Sequence, residues 1–212
     1  MRFSIRQCLF SSGNPIRVAN NQAGAMSTFP LLPSSSALKI SMGDLIRWQV
    51  DGFSDAIVNP ANQAMLGGGG CDGAIHNAAG PELFEACYRV PEVRSNVRCP
   101  TGEARITRGF KLPAAHVIHT VGPIYNSDPN PAASLANAYK NSLLLAKQNN
   151  IKYIAFPAIS CGVFGYPLDE SAMVAISTVK NFSDGIDEVH FVLFSANAYH
   201  VWMKKAKDLL MA

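Results

Sequence analysis

Four short apolar runs limit how this chain can fold: DAIVNP (55–60), HVIHTVG (116–122), KYIAFPAI (152–159) and VHFVLFS (189–195). Each is rich in Val, Ile or Phe and closes on Pro, Gly, Asn or Ser, the pattern of buried strands. Between them lie stretches with helical spacing: GAIHNAAGPELFEACYRV (73–90), PAASLANAYKNSLLLAKQNN (131–150), PLDESAMVAISTVKNFS (167–183) and NAYHVWMKKAKDLLMA (197–212). In the second of these, Leu135, Tyr139, Leu143 and Ala146 share one face while Lys140 and Lys147 lie on others. Pro131 and Pro167 suit first-turn positions. This succession predicts an α/β protein, a three-layer sandwich whose mixed, mostly parallel central sheet is flanked by helices. ALKISMGDL (37–45) and RCPTGEARITRGF (98–110) are expected to add strands. No internal repeat is found, which sets solenoids aside.

A chain of 212 residues, 48% hydrophobic and 16% charged, is enough for one well-buried domain, placed at 38–212. No apolar run approaches the roughly 18 residues that would cross a bilayer, so no membrane partner is expected. The net charge of +3 is uneven: Arg2, Arg6, Arg17 and Lys39 face no acid in residues 1–43, whereas 44–212 hold 14 basic and 15 acidic residues. A near-neutral body offers no basic stripe for a phosphate backbone, so nucleic acid is not an expected partner. Residues 1–37 are rich in Ser and Asn, contain Arg and lack acids, the composition of a mitochondrial or plastid targeting segment or of a disordered extension; Met26 is a candidate second start. Five cysteines, odd in number and without metal-ligand spacing, are read as reduced thiols in an intracellular compartment.

The unusual residues fall where ligands bind in open α/β sheets, beyond the carboxyl ends of strands. After DAIVNP come Pro60, Ala61 and Asn62, then Gly67, Gly68, Gly69 and Gly70, then Cys71 and Asp72 opening a helix. After KYIAFPAI come Ser160, Cys161, Gly162, Val163, Phe164, Gly165 and Tyr166, again leading to a helix. Each turn offers backbone N–H groups beside a positive helix terminus, and two such turns facing each other would clamp a diphosphate without lysine. A P-loop is excluded because no Gly-Lys-Ser/Thr follows the glycines. Gly68, Gly70 and Gly73 match G-x-G-x-x-G, but the loop starts well after its strand, and Glu92 follows no strand that would carry a ribose-binding acid.

Taken together, GDL (43–45), AIVNPAN (56–62), LGGGGCDGAIHNAAGPEL (66–83), VIHTVGP (117–123) and FPAISCGVFGYP (156–167) resemble the macro domain, specifically its MacroD-type branch. The resemblance covers about residues 38 to 211. It implies an ADP-ribose-binding hydrolase that removes mono-ADP-ribose from acidic side chains of proteins and deacetylates O-acetyl-ADP-ribose. A non-catalytic ADP-ribose reader and an ADP-ribose 1″-phosphate phosphatase are the alternatives. ADP-ribose and ADP-ribosylated proteins are then the partners, a monomer is expected, and neither cofactor nor metal is implied.

By position, Asp44, between Gly43 and Leu45, resembles the aspartate that accepts from the adenine amino group, with Leu45 adding a backbone contact. Tyr199 is expected to stack on or flank the adenine. Pro60 to Asn62 and Gly67 to Asp72 resemble the loop along the distal ribose and diphosphate, and Ser160 to Tyr166 the opposing phosphate loop. Asn62 would hold ribose hydroxyls and Asp72 would orient or activate the attacking water. That agrees with the chemistry: hydrolysis needs a held water and a group that takes its proton, and a glycine run lets a ligand approach closely.

Plainer roles compete at several positions. Asp72 also suits the N-cap of a helix starting at Gly73, and His76, one turn on, is placed in support of Asp72. Cys161 and Cys71 are read as small fillers rather than nucleophiles. His116 and His119 are assigned buried, hydrogen-bonded roles. Phe164 and Tyr166 either wall the ribose or fill the core. Relative to the family, the segment IRWQVDGFSD (46–55) is about four residues longer, Pro60 replaces the commoner alanine and Cys71 a commoner aliphatic residue. The extra residues are placed in a surface turn near Gly52, where they would alter the surroundings of the adenine.

Overall fold

The computed structural model describes residues 26–31 and 35–211. Among them is one seven-stranded sheet with β1 (Ser27–Pro30), β2 (Ala37–Met42), β3 (Asp55–Pro60), β4 (Ala104–Arg108), β5 (His116–Thr120), β6 (Tyr153–Phe156) and β7 (Glu188–Leu193), in the order β1-β2-β7-β6-β3-β5-β4. The five inner strands are parallel and the two edge strands antiparallel. Five α-helices flank it: α1 (Gly70–Ala79), α2 (Pro81–Tyr88), α3 (Pro131–Gln148), α4 (Leu168–Phe182) and α5 (Ala196–Leu210). The mixed, mostly parallel sandwich read from the sequence is the architecture observed.

Side chains alternate across the sheet as strand geometry requires. Ala56, Val58, Ile118, Ile154, Phe156 and Phe191 join the core under α3, α4 and α5; Ile57, Val117, Ala155 and Val192 join the one under α1 and α2. The helix face predicted for 131–150 is correct, since Leu135, Tyr139, Leu143 and Ala146 are fully buried. On the α1/α2 face the same alternation carries two polar residues into the interior, Asn59 after Ile57 and His119 after Val117, both fully buried.

Four expectations need correction. The folded unit begins before Leu38: β1 pairs with β2, with Ser27 opposite Ile40, and Phe29 and Leu31 are buried. The targeting or disordered reading therefore loses residues 27–31 and 35–37; its remainder lies outside the described residues. The 73–90 helix is two helices, because Gly80 takes φ 87° and Pro81 starts α2. Pro167 is the N-cap of α4 rather than a first-turn residue. The longer 46–55 segment turns at the amino end of β3, where buried Asp55 accepts from the amides of Val50 and Gly52 at 2.8 Å each. That is the opposite end of the strands from the glycine loops, so the turn near Gly52 lies away from them, while Ile46 at the start of the segment does not share that position.

Candidate functional site

At the carboxyl ends of β2, β6 and β7 lies a cleft of about 550 Å³. Gly43, Asp44, Leu45 and Ile46 wall it from one side, Gly70, Cys71 and Ala74 from the start of α1, and Pro157, Ala158, Cys161 and Gly162 from the loop after β6. Both glycine-rich turns therefore meet one cavity. The α1 terminus is open to a ligand, since its N-cap Gly69 has no side chain to occupy the first amides. The α4 terminus is less suited to an anion: Asp169 and Glu170 fill its first turn.

Backbone strain shapes both turns. Met65 and Ser160 take left-handed φ of 61° and 65°, each at the entry to its loop. Such conformations cost about 1–3 kcal/mol per residue and persist only where the surroundings hold them. Asn62 is part of that hold. Its Oδ1 accepts from the amides of Ala64 and Met65 at 3.1 Å each and its Nδ2 donates to the Gly67 carbonyl at 2.8 Å. Across the site, a side chain at Gly122 would fall on Ser160 Oγ, so glycine there lets the second loop close on β5.

Asp72 is the third residue of α1, not its cap. The helix starts at Gly70 rather than Gly73, and the carboxylate turns inward, where Oδ1 accepts from Asn59 Nδ2 at 2.7 Å. Its Oδ2 is buried without a partner among the described residues, and a Cβ on Gly68 would stand 2.9 Å from it. Burial pushes the Asp72 carboxyl above the usual carboxylate range, opposed by the Asn59 hydrogen bond and by His76. His76 Nε2 lies 3.5 Å from Oδ1, one turn along the helix, and its ring packs against Gly67. Gly67, Gly68 and His76 also line a second depression of about 430 Å³ with Pro81 and Phe84.

Beneath Asp72, Asn59 Nδ2 also lies 3.1 Å from His119 Nδ1, and His119 Nε2 lies 2.9 Å from Thr107 Oγ1. An amide nitrogen only donates, so Nδ1 accepts and Nε2 carries the proton. Complete burial holds the imidazole neutral, down to about 3. The buried, hydrogen-bonded role assigned to His119 is the one found; His116, at the start of β5, is only half-buried. His76, Cys87 and His119 bring donor atoms within 4.8 Å of one another, yet they do not fit a metal ion. Cys87 Sγ is 3.6 Å from His119 Nε2 and 4.0 Å from Nδ1. Near-equal distances place the sulfur off the lone-pair direction of either nitrogen, and both nitrogens already hold hydrogen bonds. Burial pushes the Cys71 thiol up to about 12 and the Cys161 thiol to about 11, which suits fillers and not nucleophiles.

Other expected residues fall elsewhere. Tyr199 lies inside α5, packs on the main core and does not line the cleft; Phe194, at the end of β7 and 88% exposed, does. Tyr166 is a core aromatic, buried edge-on against Tyr125. Phe164 contributes its carbonyl to Tyr125 N, while Val163 is fully exposed. Ala61 is buried below the loop. The sequence reading missed Phe194 and the contact of Asn59 with Asp72. Strand alternation, which puts Asn59 on the α1 face, was the available signal for the latter.

A macro domain family model matches residues 58–175, and the chain belongs to that family, in its MacroD-type branch. The O-acetyl-ADP-ribose deacetylase of Klebsiella pneumoniae is 50% identical over 157 residues, covering 74% of this chain and 86% of that protein. The ADP-ribose glycohydrolase MACROD2 of Xenopus laevis is 45% identical over 172 residues, 78% of this chain but 39% of that protein. A variant of the Oceanobacillus iheyensis macrodomain, solved with ADPR, superposes with a TM-score of 0.82 at 41% identity, covering 89% of this chain and all of that one. No helix among the described residues is long and apolar enough to cross a membrane.

Proposed function

We propose that the cleft binds ADP-ribose and that the site hydrolyses it from acidic side chains of mono-ADP-ribosylated proteins and, equivalently, removes acetate from O-acetyl-ADP-ribose, without a metal ion. The observation that carries this reading is the Asp72 carboxylate, buried in α1 next to Cys71 of the cleft wall and packed under Gly68, with one oxygen held by Asn59 and the other without a partner among the described residues. In the proposed pose the diphosphate sits between the α1 amides and the Cys161–Gly162 turn. The adenine lies between Asp44 and Phe194, and the distal ribose lies over Gly68 near Asn62. Asp72 takes a proton from the attacking water, a task for which a carboxyl raised above its usual range by burial is better matched than an ordinary one. His76 stands by as its polar neighbour, and the α1 amides supply positive potential to charge that develops on substrate oxygens. The names of the deacetylase and glycohydrolase relatives, and the ADPR in the solved neighbour, support the same assignment.

Asp72→Ala tests it. ADP-ribose affinity by calorimetry is expected to stay near wild type, while release of label from an ester-modified protein and acetate release from O-acetyl-ADP-ribose are lost. Wild-type protein that binds ADP-ribose and releases nothing would make it a reader; faster turnover of ADP-ribose 1″-phosphate than of either ester would make it a phosphatase.

A further inference from the structure

Asp72 is joined through Asn59 to a residue that never meets the cleft. A continuous line of hydrogen bonds runs from Thr107 on β4 to His119 on β5, Asn59 on β3 and Asp72 on α1, with separations of 2.9, 3.1 and 2.7 Å. We propose that His119 is a positioning residue for the hydrolysis: held as the Nε2–H tautomer by Thr107, it orients the Asn59 amide so that an N–H, and not the carbonyl oxygen, faces Asp72. The inference rests on the proposed hydrolytic role of Asp72.

The geometry leaves little choice of orientation. Asn59 is fully buried and its Oδ1 has no partner among the described residues, so both good contacts of this side chain are donated by one nitrogen. Turning the amide over would set its oxygen against the carboxylate and against the Nδ1 lone pair together. The Thr107 hydroxyl can accept or donate; with Nδ1 taken by the Asn59 N–H it accepts from Nε2–H, so the two bonds reinforce one tautomer and one amide orientation. If Nδ1 gained the proton, the amide would turn to accept it, and Asp72 would lose its only hydrogen-bond donor of the described side chains. The other titratable groups near the carboxylate are His76 and Cys71 on α1 and Cys87 on α2, the last of which also faces the Arg98 charge. None donates a hydrogen bond to it.

Thr107→Val removes the acceptor while keeping a β-branched strand residue, Thr107→Ser restores it, and His119→Phe removes the acceptor for Asn59 outright. Three readouts apply to the full chain: imidazole 15N shifts, the 13C titration of the Asp72 carboxyl, and the pH profile of ester hydrolysis alongside ADP-ribose affinity. In wild type, His119 is expected as Nε2–H, unchanged from about pH 5 to about pH 8. Thr107→Val is expected to raise the Asp72 titration and the acid limb of the rate profile by about one pH unit. It is expected to lower the rate about tenfold or more with ADP-ribose affinity unchanged, and Thr107→Ser to recover both. A proton on Nδ1 in wild type, or an Asp72 titration that stays put in Thr107→Val and His119→Phe, overturns the proposal. A wild-type protein without hydrolysis whose Asp72 titration still moves in Thr107→Val would sink the functional reading and leave the positioning role standing.

Discussion

The Asn59 side chain, at the end of β3, donates to Asp72 in the first turn of α1 at 2.7 Å, thirteen residues on. That bond fastens the helix which carries the glycine loop to the sheet beneath it. It also counters the burial that raises the Asp72 carboxyl. Several expected outcomes follow from how that carboxylate and its loop are held.

An ionised Asp72 is a burden on the fold. Its folded-state value lies above the 3.8 of the unfolded chain, so ionisation favours unfolding at pH above the folded value. Asp72→Asn keeps an oxygen for Asn59 and is expected to raise Tm at neutral pH by about 2–4 °C, the equivalent of about 1 kcal/mol, while ester hydrolysis falls about hundredfold or more. The gain should shrink as pH falls through the folded value and vanish below 3.8, where both states are protonated. Thermal melts across pH check this, and a variant less stable than wild type at neutral pH contradicts it.

Two adjacent glycines should behave differently. A Cβ on Gly68 would stand 2.9 Å from Asp72 Oδ2 and 3.3 Å from Asn62 Nδ2, whereas a Cβ on Gly69 meets nothing within 4 Å, at φ −93°. Gly68→Ala is expected to cost about 1–3 kcal/mol in urea unfolding and to depress hydrolysis. In Gly69→Ala a poorer cap is offset by a less flexible unfolded chain, so stability should stay within about 0.5 kcal/mol. Equal losses in the two variants would contradict the tight packing at Gly68.

The adenine end of the proposed pose rests on Asp44 and Phe194. Asp44→Ala and Phe194→Ala are each expected to weaken ADP-ribose binding by about 1–3 kcal/mol and to leave ribose phosphates that lack adenine unaffected. Tyr199→Ala, which removes a ring packed on the core, should instead lower stability without changing adenine preference. Calorimetry with both ligand classes decides; a Phe194→Ala protein with full ADP-ribose affinity would return the adenine to another wall.

Acid should unfold the protein through its buried imidazoles. His119 is held down to about 3 and His190 below its ordinary value, in both cases chiefly by burial, although Glu188 at 2.9 Å pulls His190 upward. Stability supplied by neutral histidine is fully present above the unfolded value of 6.5 and is lost as pH falls from there toward 3. The expected slope is about 1.4 kcal/mol per pH unit for His119 alone, read as a falling urea midpoint. His119→Gln should flatten it; an unchanged slope would assign acid lability elsewhere.

Much of this was legible because local and global patterns agree. Apolar β-branched runs closed by Pro, Gly, Asn or Ser placed the inner strands, and the two glycine turns pointed to the ends of β3 and β6, whose following loops both reach the cleft. Legibility failed where a signal was tertiary. Ser27–Pro30 is too short to announce itself as a strand until β2 lies beside it. Asp72 looked like a cap because nothing local reveals that α1 begins two residues earlier, on Gly70, and that Asn59 waits below. Phe194 and Tyr199 are both aromatic and five residues apart; only the start of α5 at Ala196 decides which one meets the cleft.

β1 carries a practical consequence for where the protein can be shortened. Cutting at Leu38, where strand periodicity becomes obvious, would strip β2 of its outer neighbour. It would leave a row of unpaired amides and carbonyls, together with the sockets vacated by Phe29 and Leu31, open to other copies. A product begun at Met26 retains the whole strand.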